Sequence, residues 1–271
     1  MFSRLFALIL VLCLVIAASA MPQTEIADSE QLQVNPPTVR RIPPPDRNLP
    51  ADQLEQRADQ LRSQKLYVDA LDYYHAALSK KPDSGVLYNK MGITELLSQR
   101  LREAARDFEH AIKYDNKLAD AANNLGVIDY LQKKYGRAIK EYKRAIELHP
   151  DSASFYSNLG AAYFSRKDFV QASDAYAKAV QLDPEIFDRI SRTGVSAQMS
   201  SPEDRAHYDY VVAKLFAKMG RTERSLEYLR RAMEEGYKGV EDVYKDPEFA
   251  SLRKDERFTK LMAARPLAIP Q

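Results

Sequence analysis

The chain has 271 residues, with 40 lysines and arginines against 38 aspartates and glutamates, four histidines and a single cysteine. So even a balance supplies no field to draw it to nucleic acid or anionic lipid. One thiol excludes an internal disulfide, and the charges are mixed as on solvated helix faces.

Residues 1–20, MFSRLFALILVLCLVIAASA, place Arg4 before an apolar run from Leu5 to Ala18 and end in small residues at Ala18 and Ala20. This is the pattern of a secretory signal peptide cleaved after Ala20. The run is too short to span a bilayer. The expectation is an exported protein, periplasmic or extracellular, with no membrane insertion after cleavage. Cleavage removes Cys13, and Leu12 before it is not the small residue that lipidation requires. Loss of Arg4 takes the basic count to 39 against 38 acids.

Residues 21–50 hold seven prolines, at 22, 36, 37, 43, 44, 45 and 50. Proline fixes φ and removes donors, so this stretch is expected to be an extended, mobile, disordered tether with no core of its own.

From Ala51 a 34-residue frame fits four units, 51–84, 85–118, 119–152 and 153–186. Position eight is Ala58, Gly92, Gly126 and Gly160; position 20 is Ala70, Ala104, Ala138 and Ala172. Position 24 is Tyr74, Phe108, Tyr142 and Tyr176; position 27 is Ala77, Ala111, Ala145 and Ala179; position 32 is Pro82, Asn116, Pro150 and Pro184. Apolar or small residues at four, seven, eight and eleven make one stripe of a first helix, and those at 20, 24 and 27 one stripe of a second. Small residues at eight and 20 let the two backbones approach, and the ring at 24 fills the space beside them. Proline at 32 ends the second helix, and Asp83-Ser84 and Asp151-Ser152 offer oxygens to cap the next.

This pattern resembles the tetratricopeptide repeat, a helix-turn-helix unit of high sequence specificity. The family's tryptophan at position four is replaced here by Leu54, Tyr88, Ala122 and Tyr156. The resemblance implies an all-α, right-handed helical-hairpin solenoid.

Residues 187–205 interrupt the frame and are expected to form a short helix and a loop, with Ser201, Pro202, Glu203 and Asp204 reading as a helix start. A degenerate fifth unit follows at 206–239, fitted by Val212, Ala213, Phe216, Ser225, Leu229 and Ala232. In residues 240–271, Phe249, Leu252, Phe258 and Leu261 are at helical spacings, and their expected work is to cap the last unit.

No HExxH, glycine-rich phosphate loop or GxSxG elbow is present, and His75, His110, His149 and His207 share no ligand spacing. Most histidines fall on solvent-facing parts of second helices or in turns. No catalytic residue, cofactor or metal site is expected, and no enzyme.

The family resemblance implies a concave groove lined by first helices. The residues there are Asn89, Lys90 and Ile93 from unit two, Asn123, Asn124, Val127 and Tyr130 from unit three, and Ser157, Asn158, Ala161 and Phe164 from unit four. An asparagine amide donates to a peptide carbonyl and accepts from a peptide N–H, so Asn124 and Asn158 are placed to track an extended partner backbone, or to bond within the solenoid. The family's clamp for terminal carboxylates needs Lys and Asn where this chain has Glu55 and Asp59, which would repel one. The expected function is a non-catalytic protein-interaction scaffold in the cell envelope. The alternative is a structural component, self-associating or fixed in an envelope complex, without a groove-bound peptide.

Overall fold

The computed structural model describes residues 42–187 and 201–264, which are helical and contain no strand. Eight helices form four hairpins: α1 (Ala51–Ser63) with α2 (Tyr67–Leu78), α3 (Gly85–Leu97) with α4 (Leu101–Tyr114), α5 (Ala119–Leu131) with α6 (Tyr135–Leu148), and α7 (Ala153–Ser165) with α8 (Phe169–Leu182). The second stripe is buried: Ala70, Ala104, Ala138 and Ala172 are fully enclosed, as are Ala77, Ala111, Ala145 and Ala179, while Tyr88, Tyr156 and Tyr163 of the first stripe are half-buried.

The ring at position 24 lies directly on the glycine at position eight. A Cβ added to Gly92 would sit 2.6 Å from the Phe108 ring, one on Gly126 2.6 Å from Tyr142, and one on Gly160 2.5 Å from Tyr176. Helix ends are handled unevenly. Ser84 accepts from the Leu87 N–H as expected, whereas the Ser152 hydroxyl bonds to Ser154 and does not cap α7.

Every turn inside a hairpin places position 15 in the left-handed region, with φ between 59° and 66° at Lys65, Gln99, Lys133 and Lys167. The following N–H then closes on the helix end, as Lys134 does on the Asp129 carbonyl at 2.8 Å. Gly220, at the same position of the fifth frame, has φ 70°.

The tether is not loose throughout. Ile42 donates its N–H to the buried Asp69 carboxylate at 3.2 Å, and Ile42 and Leu49 pack against the core of the first hairpin. Proline content predicts an extended backbone, but these two apolar side chains have a face of α1 and α2 to cover. Residues 1–41, which include the expected signal peptide, lie outside the described residues.

After unit four the array changes direction. Between earlier units the connections are short, so Phe155 at the start of α7 meets His149 at the end of α6, with ring centroids 6.3 Å apart. The next helix, α9 (Pro202–Lys218), starts at the opposite end of its neighbour: His207 is 4.4 Å from Phe169, the first residue of α8, and Tyr208 is 5.6 Å from Tyr176. Further along, Phe216 is 6.2 Å from Phe187, which lies beyond the end of α8. Thus α9 runs alongside α8 in the same direction. The insertion's expected short helix falls in residues 188–200, outside the described residues. Ser201 caps α9 by accepting from the Asp204 N–H at 3.0 Å.

Helix α9 pairs with α10 (Thr222–Glu234), and the described residues close with three 3-10 turns (Val240–Tyr244, Pro247–Phe249, Leu252–Lys254) and α11 (Glu256–Ala264). Phe249, Leu252, Phe258 and Leu261 are all buried against the α9–α10 core. They cover the last hairpin from turns and a helix, not from one continuous helix.

The glycine contacts lead to opposite outcomes for one substitution. Gly160→Ala should lower stability by about 1–3 kcal/mol through overpacking against Tyr176. Gly136→Ala, whose new methyl meets nothing within 4 Å, should raise it by up to about 1 kcal/mol through helix propensity. Urea unfolding of the two variants measures both signs.

Candidate peptide-binding face and aromatic pocket

Consecutive first helices place position five of one unit beside position six of the next. The pairs so formed are Glu55 with Lys90, Asn89 with Asn124, and Asn123 with Asn158, each 35 residues apart. All three are bonded. Lys90 Nζ donates to Glu55 Oε1 at 2.6 Å, Asn124 Nδ2 to Asn89 Oδ1 at 3.1 Å, and Asn158 Nδ2 to Asn123 Oδ1 at 2.9 Å. Asn123 Nδ2 in turn donates to Asn124 Oδ1 at 3.4 Å and joins two rungs into one ladder.

The ladder consumes one N–H of Asn124 and one of Asn158. An amide has two N–H groups and two acceptor lone pairs, so each retains capacity for a ligand. Asn89 and Asn123 are buried behind the face, while Asn124, Asn158, Lys90, Ile93 and Val127 are half-buried on it. Ala161, Phe164, Tyr130 and Ser157 are buried. The expected groove residues therefore divide into a supporting row and an accessible row.

The first-unit end of the face is charged. Asp59 accepts from Lys90 Nζ at 2.6 Å, from the Tyr74 hydroxyl at 2.5 Å and from Arg62 at 3.3 Å. Burial pushes the Asp59 carboxyl up, but the hydrogen bonds from Lys90 and Tyr74 outweigh it and hold the group below its ordinary value. Glu55 and Asp59 thus serve as ligands to an internal cation.

The other end of the face opens into a pocket of about 610 Å³, where α9 crosses the turns of units three and four. Tyr130, Tyr135, Phe164, Phe169 and His207 line it. Phe164 lies 5.4 Å from both Phe169 and His207, Tyr130 lies 5.4 Å from Tyr135, and the Tyr130 and Ser165 hydroxyls are 3.0 Å apart. His207 is therefore not solvent-facing: it is half-buried, and burial holds its imidazole below the ordinary value, against the raising charge of Asp204.

Tyr130 and Phe164 are the expected residues that this pocket gathers; Tyr135, Phe169, Glu203 and His207 join them without having been anticipated. A signal for the first two exists. Aromatic residues occupy both position 12 and position 17 only in units three and four.

Among the described residues, no group of three or more His, Cys, Asp or Glu is placed to hold a metal ion, and no helix is long and apolar enough to cross a membrane. Residues 128–166 match a family model described as TPR repeat, and residues 153–186 one described as tetratricopeptide repeat. Residues 128–186 therefore carry tetratricopeptide repeats, and the hairpin array extends the same helical arrangement over residues 51–182. Its fold is similar to the crystal structure of MamA protein, at 19% identity and a TM-score of 0.50 over 73% of this chain and 95% of that one. It is likewise similar to the structure of Pseudomonas aeruginosa pilF, at 18% identity and a TM-score of 0.53 over 81% of this chain and 90% of that one. Identities this low establish a shared fold. No curated protein matches the sequence.

The Lys90 cluster sets a pH dependence. Because the folded-state value of Asp59 is depressed below 3.8, its stabilisation is present above that pH and lost as pH falls through the folded value. Lys90→Met should cost about 1–2 kcal/mol at pH 7 by removing the cation that Glu55 and Asp59 share, and less as pH falls through the folded-state value of Asp59. Thermal unfolding of wild type and variant across that range measures the difference.

Proposed function

We propose that this chain is a non-catalytic interaction scaffold that holds an extended segment of a partner protein along the first-helix face of units two to four. The observation that carries the reading is the ladder. It fixes the half-exposed amides of Asn124 and Asn158 in one row, each with an N–H and a lone pair to offer a peptide backbone. Ile93 and Val127 beside them offer apolar contact. A face already ordered before binding loses little side-chain freedom when a ligand arrives, which favours affinity.

The place of action proposed is the periplasm or the cell exterior, on the strength of the charge, apolar core and small-residue end of residues 1–20. A tetratricopeptide solenoid gives the class of partner, a protein or peptide, and leaves its identity to experiment.

The test is a crosslinking pull-down of the mature protein from its native envelope fraction, run beside Val127→Asp. Val127 is on the face but outside the ladder, and unfolding midpoints control for folding. Specific partners captured by wild type and lost with Val127→Asp are expected. Capture unchanged by the variant, or recovery of this chain alone, contradicts groove binding and favours the self-associating alternative.

A further inference from the structure

We propose that the aromatic pocket at the end of the face receives an arginine side chain of the partner segment, with an acidic residue beside that arginine facing the opposite lip. This rests on the reading that the solenoid holds a peptide, and it assigns the chemistry that the pocket selects.

The pocket's two lips carry opposite charge. Glu203 and Asp204, in the first turn of α9, form one; Lys133 and Lys167, in the turns of units three and four, form the other. All four are exposed. None forms an ion pair among the described residues, and Asp204 is engaged only by Ser201, through its hydroxyl at 2.7 Å and its capping interaction. A site with unpaired charges of both signs across an aromatic floor fits a ligand that brings both signs.

The floor decides which sign goes deeper. Tyr130, raised first by burial and eased by its Ser165 hydrogen bond, is also pushed up by the charge of Asp204, which acts on His207 in the same sense. Glu203 precedes His207 by four residues and so shares its face of α9, one turn from the His207–Phe169 pair, whose ring centroids are 4.4 Å apart. The carboxylates therefore adjoin these rings, and a cation is favoured there. An anion over the rings would meet the Glu203 and Asp204 carboxylates, and a purely apolar side chain would cover those carboxylates without pairing them.

Arginine suits these walls better than lysine. Its planar guanidinium stacks on ring faces such as those of Phe169 and Tyr135 while its N–H fork bonds carboxylates in pairs. Both interactions are made together only where rings and carboxylates adjoin, as they do where α9 crosses the turn. The lysine lip, lying over the turns, then takes the neighbouring acidic residue and disfavours a second cation.

Fluorescence anisotropy of the mature protein tests this with labelled Gly-Ser host peptides. One carries a central Glu-Arg pair, one has citrulline for the arginine, and one has Gln for the glutamate. Citrulline keeps the shape and removes the charge, so the test does not depend on a protein variant's folding. Saturable binding of the Glu-Arg peptide is expected, weakened at least about tenfold by citrulline and by Glu203→Gln with Asp204→Asn, and severalfold by the Gln peptide. Equal binding of the arginine and citrulline peptides overturns the assignment and leaves the groove reading intact. So does failure of both peptides while envelope partners are still lost with Val127→Asp. If no peptide binds and no partner depends on Val127, both readings fall.

Discussion

The stacking of units two to four depends on the contact between a helical glycine and the aromatic ring that lies over it. Gly92 under Phe108, Gly126 under Tyr142 and Gly160 under Tyr176 set the distance between the two helices of these hairpins, because a Cβ on any of the three would sit within 2.6 Å of the ring. A ring that covers a backbone also excludes water from it, and these rings are among the largest fully buried side chains in the protein. Once the hairpin spacing is set, each unit presents the same stripe to the next. Stacking then follows from nearest-neighbour burial.

Stacking brings position five against position six of the following unit, and there the repeats stop being interchangeable. In the first junction the pair is Glu55 and Lys90, in the next two it is an asparagine pair. The geometry is shared but the chemistry changes from ionic to amide along the face. A cation held between Glu55 and Asp59 cannot serve a terminal carboxylate of a ligand, whereas the amides keep part of their bonding capacity. The face offered to the proposed partner is thereby displaced toward units two to four, and it ends at the aromatic pocket beside α9.

Much of the fold was legible because its rules are local. Spacing at eight, 20, 24 and 27 gave the helices, their buried faces and the small-residue contacts. The left-handed turn at position 15 was not legible, since Lys65, Gln99, Lys133 and Lys167 carry no sign of it and only Gly220 does. Periodicity reports which face of a helix is buried, not which way the helix runs, so the fit of Val212, Phe216 and Leu229 to a fifth frame could not show that α9 starts at the opposite end of α8. Composition likewise hid the anchoring of the tether, which two apolar residues, Ile42 and Leu49, accomplish among the prolines. The candidate site was half legible. Its residues were named from their repeat positions, but asparagines one repeat apart are equally suited to a ligand and to one another, and a pocket made by a reversed helix has no sequence spacing.

The ladder links the fold to the function, because it decides whether the amides are ordered before a ligand arrives. A double-mutant cycle on Asn123 and Asn158, each changed to Ala singly and together and followed by urea unfolding, measures the rung directly. The account predicts a coupling of about 0.5–1.5 kcal/mol, the range for a hydrogen bond between two neutral groups. Strictly additive effects would contradict it and would mean that these amides stand apart, so that any peptide binding would have to order them itself.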